Sequence, residues 1–152
     1  MARAPFQVLV YPYRKVGDSE FEFALLRRSD AGWWQAIAGG GEDNETPLEA
    51  ARRETREEAG ISPTSHFLQL DTIEPVRVTE FKDSHLWGED VYVIPQYCFG
   101  VLVQDGRITL SREHTDYQWL KYGEANDRLR YDSNRTALWE LNQRLRGKGP
   151  RE

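Results

Sequence analysis

Residues 39–61 of this chain, GGGEDNETPLEAARRETREEAGI, leave little freedom in what they can become. They read as a loop feeding a helix. Thr46 suits the N-cap, Pro47 the first helical position, and Glu49 can close a capping box back onto Thr46, while Gly60 ends the helix. Within those limits Glu54, Glu57 and Glu58 stand at i, i+3 and i+4 and share one face. Leu48, Ala51, Thr55 and Ala59 form a second face, small and mostly apolar, suited to packing. Like charges so placed repel by roughly 0.2–0.5 kcal/mol per exposed pair, so positive charge belongs among them. Arg52, Arg53 and Arg56 can supply it on a solvated face; a hard divalent cation with oxygen ligands is the other source.

The spacing Gly39, Glu45, Arg53-Glu54, Glu57-Glu58, Gly60-Ile61 resembles the signature box of the Nudix hydrolases at every position but one. The exception is Thr55, where that family usually carries a bulky aliphatic residue; it lies on the packing face and leaves the acidic face intact. The resemblance implies an α/β fold, the Nudix α/β/α sandwich with a mixed β-sheet, as a single domain over residues 1–146, with 147–152 as a disordered tail. It also implies hydrolysis that depends on Mg2+, with Mn2+ as the alternative, held by Glu54, Glu57, Glu58 and a backbone carbonyl near Ala38 or Gly39. Gly39, Glu45, Arg53 and Gly60 are then structural parts of the box. Arg53 would clamp the loop carboxylate of Glu45 and so stay off the metal face.

A chain of 152 residues, 39% hydrophobic, fits one domain with an adequate core. Its net charge of −5 argues against a sequence-independent polynucleotide binder, which needs a basic surface, yet is compatible with a small phosphorylated substrate. Cys98 is alone, so no intrachain disulfide can form and a reducing compartment, the cytoplasm, is expected. No stretch is long and apolar enough to be a signal peptide or to span a membrane. Monomer and homodimer are both open.

Along the chain, Phe6–Tyr13 and Glu20–Arg27 flank a Gly-Asp-Ser turn as two strands. Arg28 follows, either a bidentate clamp for a substrate phosphate or a surface arginine at the strand end. Trp34, just before the box, is either a ring-stacking contact or a core anchor. His66–Phe81 and Val91–Val103 read as two long strands, and the segment Lys82–Asp90 between them as either a lid with His85 and Trp87 as substrate contacts or an ordinary exposed hairpin loop. Gly123–Leu129 and Ser133–Leu145 read as a short and a longer helix, Ser133 being the N-cap of the second.

Many Nudix enzymes place a further carboxylate in a loop shortly before a strand tryptophan, and Glu113, six residues before Trp119, matches that pattern. With Glu57 and Glu58 it completes the expected catalytic set, as a metal ligand or as the base that accepts a proton from the attacking water. Within the family, Trp34-Gln35, Ser84-His85, Glu113-His114 with Tyr117 and Trp119, and Ser133-Asn134-Arg135 are similar to the dihydroneopterin triphosphate and dATP pyrophosphohydrolases. The expected substrate is thus a nucleoside or pterin triphosphate. ADP-ribose or a dinucleoside polyphosphate is the alternative within the family, and a non-catalytic nucleotide-binding module the alternative outside enzymes. An isomerase of the same fold is disfavoured, since its cysteine motif has no counterpart around Cys98.

Overall fold

In the computed structural model, which describes residues 2–149 and 151, seven strands form one mixed sheet and three α-helices cover it. The strands are β1 (Arg3–Lys15), β2 (Phe21–Arg28), β3 (Trp34–Gln35), β4 (Ile37–Glu42), β5 (Phe67–Arg77), β6 (Val93–Leu102) and β7 (His114–Lys121). The helices are α1 (Pro47–Ala59), α2 (Tyr122–Arg128) and α3 (Asp132–Leu145).

β1 is the axis. Its run of buried residues alternates between two cores: Val8 and Val10 face Ala50, Ala51 and Ala59 of α1, whereas Leu9, Tyr11 and Tyr13 face Ala137, Leu138 and Leu141 of α3. A strand buried on both sides must be apolar almost throughout, which is why this segment reads as a continuous hydrophobic run. β6 lies parallel to β1 from Gln7↔Gln96 to Tyr13↔Leu102, and the ladder begins immediately after Pro95, which has no N–H to give it.

The other side of β1 is shared. Its last residues, Tyr13 to Lys15, pair with β2, and its earlier ones, Arg3 to Val10, pair with β4. β2, carrying β3 and β7 with it, therefore diverges from β4, and a cleft opens between them.

α1 has the expected ends. Thr46 and Glu49 form the capping box, and Gly60, at φ 66°, closes the helix in the left-handed region. Its buried face is Ala50, Ala51, Thr55 and Ala59, small residues that let the helix lie close on the sheet.

Three expectations need correction. Gly39, Gly40 and Gly41 belong to β4 and not to a loop: a Cβ there would collide with Glu54, Arg3 and Phe6 respectively, so the glycines let three side chains lie on the strand. Ser133 is inside α3, which starts at Asp132 after an N-cap Tyr131 that offers no side-chain bond. Arg135 ties that entrance instead, donating to the carbonyls of Asn126 and Leu129 at the end of α2. The segment after β5 is not extended as far as Phe81; Val78–Glu80 makes a 3-10 turn, and a second one spans Ser84–Trp87. Of the expected tail, Gly147 to Gly149 and Arg151 are described, with Lys148 N–H bonded to the Gln143 carbonyl at 2.9 Å; Pro150 and Glu152 lie outside the described residues.

Candidate active site

Arg53 organises the acidic face of α1. Its guanidinium donates to both oxygens of Glu45, at 2.8 and 3.0 Å, and to the Gly40 carbonyl at 2.7 Å. It does not stay clear of the other acids, as expected above. Nη1 lies 3.0 Å from Glu54 and 3.3 Å from Glu57, because the three carboxylates surround the nearest cation. Glu45, hydrogen-bonded by Arg53, is held below the usual carboxylate range.

The three glutamates are not equivalent. Glu54 lies against the backbone of Gly39, and burial lifts its carboxyl to about 7, with Arg53 opposing and Glu57 and Glu58 adding to the rise. Glu57 is half exposed, at 47% of its side chain. Glu58 is buried, at 7% exposure, because residues 109–111 run over the end of α1: Thr109 N–H bonds the Ala59 carbonyl at 2.8 Å and Ser111 N–H the Glu58 carbonyl at 3.2 Å. Ser111 Oγ then donates to Glu58 Oε2 at 2.8 Å.

That same passage brings Glu113 to Glu58. Burial and the neighbouring charge of Glu113 hold the Glu58 carboxyl above its ordinary range, while Ser111 pulls it down. Glu113 is fixed through its own carbonyl, which accepts from Ser29 N–H at 2.9 Å and Ser29 Oγ at 3.1 Å at the end of β2. His114, next in the chain, is buried; its Nδ1 stands 3.4 Å from Glu58 Oε2 without hydrogen-bond alignment, and Nε2 is 3.4 Å from Gln35 Nε2. Burial keeps its pKa below that of a free imidazole.

Four carboxylates, Glu54, Glu57, Glu58 and Glu113, gather here in a half-buried setting, with Arg53 set between the first two, Arg3 near Glu54 and Arg28 near Glu113. An all-oxygen donor set of this kind suits Mg2+ or Mn2+. The side chains do not enclose a point in space as they stand: among the described residues no three His, Cys, Asp or Glu groups are arranged around a common metal position. Arg53 Nη1 bridges Glu54 and Glu57, at 3.0 and 3.3 Å.

The cleft adjoining this cluster has two lobes. One, of about 420 Å³, is lined by Arg28, Asp30, Arg112, Glu113 and His114; the other, of about 450 Å³, by Glu74, Phe81, Gln96, Tyr131 and Asn134. Gln7, Arg28, Gln35 and Ala38 line both, so the lobes are continuous.

Of the residues expected to bind substrate, Arg28 is on the cleft wall, engaged by Asp30 at 2.8 and 2.5 Å. Trp34 packs against the α3-side core, with the Arg128 guanidinium 5.2 Å from its ring centre. Trp87 donates to the Arg3 carbonyl at 2.8 Å and meets Phe81 edge-on, which fastens the Lys82–Asp90 segment to the start of β1. His85 is exposed, its Nδ1 3.1 Å from the Lys82 carbonyl. Neither it nor Trp87 lines the cleft. Ser111, Gln7, Glu74 and Gln96 were not foreseen. They are polar residues in or beside strands, and only tertiary placement distinguishes them: Ser111 bonds Glu58 of α1, Gln96 bonds Glu74 of the neighbouring strand, and Gln7 lines the cleft.

The NUDIX domain family profile matches residues 6–139. The chain is 31% identical over 140 residues to the dihydroneopterin triphosphate diphosphatase of Escherichia coli K12, covering 90% of this chain and 91% of that protein. It is 33% identical over 132 residues to the asymmetrical bis(5'-nucleosyl)-tetraphosphatase of Sus scrofa, covering 86% and 85%. Among solved structures, a NUDIX hydrolase from Listeria monocytogenes superposes with a TM-score of 0.84 at 38% identity, over 96% of this chain and 99% of that one. With the box helix, the sandwich around β1 and these relatives along nearly its whole length, the chain belongs to the Nudix hydrolases, enzymes that cleave phosphoric anhydride bonds.

Proposed function

We propose that this enzyme is a Mg2+-dependent pyrophosphohydrolase of a nucleoside or pterin triphosphate, working in the cytoplasm. The observation that carries the reading is the continuity of the cleft: one set of residues, Gln7, Arg28, Gln35 and Ala38, lines both the charged lobe that holds Arg28, Arg112 and Glu113 and the larger polar-floored lobe. A substrate with a charged chain at one end and a flat ring at the other fits that division. The relative named for dihydroneopterin triphosphate is consistent with it.

Glu54, Glu57 and Glu58, with the Ala38 carbonyl, would hold the cation; Mn2+ is a substitute. A cation so bound neutralises phosphate charge and acidifies a bound water. The protein's own parts follow from their surroundings. Arg28 exchanges the two oxygens of Asp30 for two oxygens of a phosphate, a swap that keeps its bidentate geometry. Glu113, anchored through Ser29, receives the proton from the attacking water, and the Ser111 hydroxyl, donating to Glu58 beside it, favours the charged form of that carboxyl against its burial. Gly39 and the Arg53–Glu45 clamp hold the cleft wall against α1.

Dinucleoside polyphosphates are the second reading. Arg130 stacks 4.3 Å over the ring of Trp33 and Arg28 approaches it at 5.6 Å, a basic and aromatic group that could receive a second nucleotide. A silent binding module is disfavoured by the complete acidic set. Incubation with nucleoside triphosphates, 7,8-dihydroneopterin triphosphate, ADP-ribose and dinucleoside tetraphosphate, with Mg2+ or with EDTA, separates these. Turnover of triphosphates that EDTA abolishes is expected; turnover confined to dinucleoside polyphosphates or ADP-ribose, or none, defeats the proposal.

A further inference from the structure

The larger lobe of the cleft has a polar floor that the reaction itself does not use. Glu74 on β5, Gln96 on β6 and Gln7 on β1 are register neighbours across three adjacent strands, Glu74 opposite Gln96 and Gln96 beside Gln7. Glu74 is 3% exposed and Gln96 8%, and Glu74 Oε1 has no hydrogen-bond partner although the residue lines the lobe. A buried carboxylate oxygen left unpaired is costly and calls for a donor.

The partners already made fix what each side chain has left. Arg3 donates to Gln7 Oε1; a guanidinium can only donate, so the Gln7 amide must turn its oxygen to Arg3 and its NH2 remains. Gln96 Nε2 donates to Glu74 Oε2 at 2.6 Å, which leaves the Gln96 oxygen as acceptor. Glu74 keeps Oε1. Burial raises its carboxyl above the usual range, while the Gln96 amide and, nearby, the Ser133 hydroxyl and the Cys98 thiol favour the charged form. Read from β1 to β5, the row is donor, acceptor, acceptor. Leu9, Pro75, Phe81 and Tyr131 supply apolar wall around it.

We propose that this row selects the ring of the substrate, and that the ring carries a 2-amino-4-oxopyrimidine edge, the acceptor–donor–donor pattern shared by guanine and the pterins. The carbonyl oxygen meets Gln7 NH2, the ring N–H meets Gln96 Oε1 and the exocyclic amino group meets Glu74 Oε1. Adenine, cytosine and uracil each present at least one group of the wrong kind, and a buried site built for one pattern rejects analogues that leave its groups unpaired. The assignment rests on the triphosphate reading only for the presence of a ring in this lobe.

Calorimetric titration with guanosine, neopterin, adenosine and cytidine reads the row without any hydrolysis, beside turnover of the corresponding triphosphates. Guanosine, neopterin or both bind at least about tenfold more tightly than adenosine and cytidine, the worth of a charge-assisted hydrogen bond; their ratio tells guanine from pterin. Glu74→Gln, which puts an NH2 where an acceptor is needed, removes the preference without lowering Tm. Gln7→Leu, at a half-buried position, removes the carbonyl contact and decides the matter should Glu74→Gln not fold. Equal binding of all four, no binding, a preference for adenosine or cytidine, or a preference that survives in both folded variants overturns the inference. Triphosphate turnover with no ring preference would leave the proposed function standing alone, and ring preference with no turnover would leave only the row.

Discussion

Arg53 and Glu45 form a two-pronged ion pair, Nε to Oε2 at 2.8 Å and Nη2 to Oε1 at 3.0 Å, that bolts the segment after β4 to the middle of α1. Glu45 also accepts from the Glu42 N–H through Oε1 at 2.8 Å, so its carboxylate serves the loop and the helix together. With only 15% and 21% of the two side chains exposed, removing either takes from the other its two-pronged partner, leaving Arg53 to Gly40, Glu54 and Glu57 and Glu45 to the Glu42 N–H. Arg53→Ala and Glu45→Ala should each cost on the order of 2 kcal/mol, and the double variant little more than either single one. Urea denaturation of the four proteins measures this; additive losses would mean that the two residues act separately.

Glu54 should make the metal-free protein weaker as pH rises. A carboxyl raised to about 7 in the fold but ordinary in the unfolded chain favours folding in its protonated form, so the penalty is absent below about pH 4.5 and complete above pH 7. Its size is about 3 kcal/mol. In EDTA, unfolding free energy should fall between pH 5 and 8 in the parent and stay flatter in Glu54→Gln. Parallel pH curves for the two proteins would exclude Glu54 as the source.

Thr55 carries a hydroxyl into the core. It is fully buried, and its Oγ1 has no partner among the described residues. Thr55→Val keeps the shape and removes the unpaired group, and should stabilise the protein by about 1 kcal/mol. Activity should be unchanged, since Thr55 faces the sheet. Thermal unfolding checks the first statement and a kcat/KM comparison the second; a lowered Tm would show that the hydroxyl has a partner.

Glu113→Gln should lower kcat by about 10²–10⁴-fold with little change in KM if Glu113 is the proton acceptor. Ser111→Ala acts on its neighbour. The Ser111 hydroxyl pulls the Glu58 carboxyl down, so its removal lets that carboxyl rise, and the acidic limb of the kcat profile should move to higher pH. Full activity in Glu113→Gln would transfer the role elsewhere, and an unmoved limb in Ser111→Ala would mean that Glu58 does not set it.

Local chemistry was enough for α1 and its acids. A cap, a proline, a terminal glycine and the i, i+3, i+4 interval are properties of adjacent residues, and they place Glu54, Glu57 and Glu58 on one face before any tertiary contact forms. The two-sided burial of β1 was likewise visible in its unbroken apolar run. What the interval could not say is that the three acids live in different surroundings. Glu58 is buried because residues 109–111, distant in the chain, cross the end of the helix, and Glu54 rises because Gly39 on β4 lets it lie against the backbone. Three glycines that resemble a flexible loop are a strand for the same reason: side chains from β1 and α1 occupy the space their own would need. The cleft, and the row formed by Gln7, Gln96 and Glu74 within it, depends on strand register, which pairing between distant segments decides.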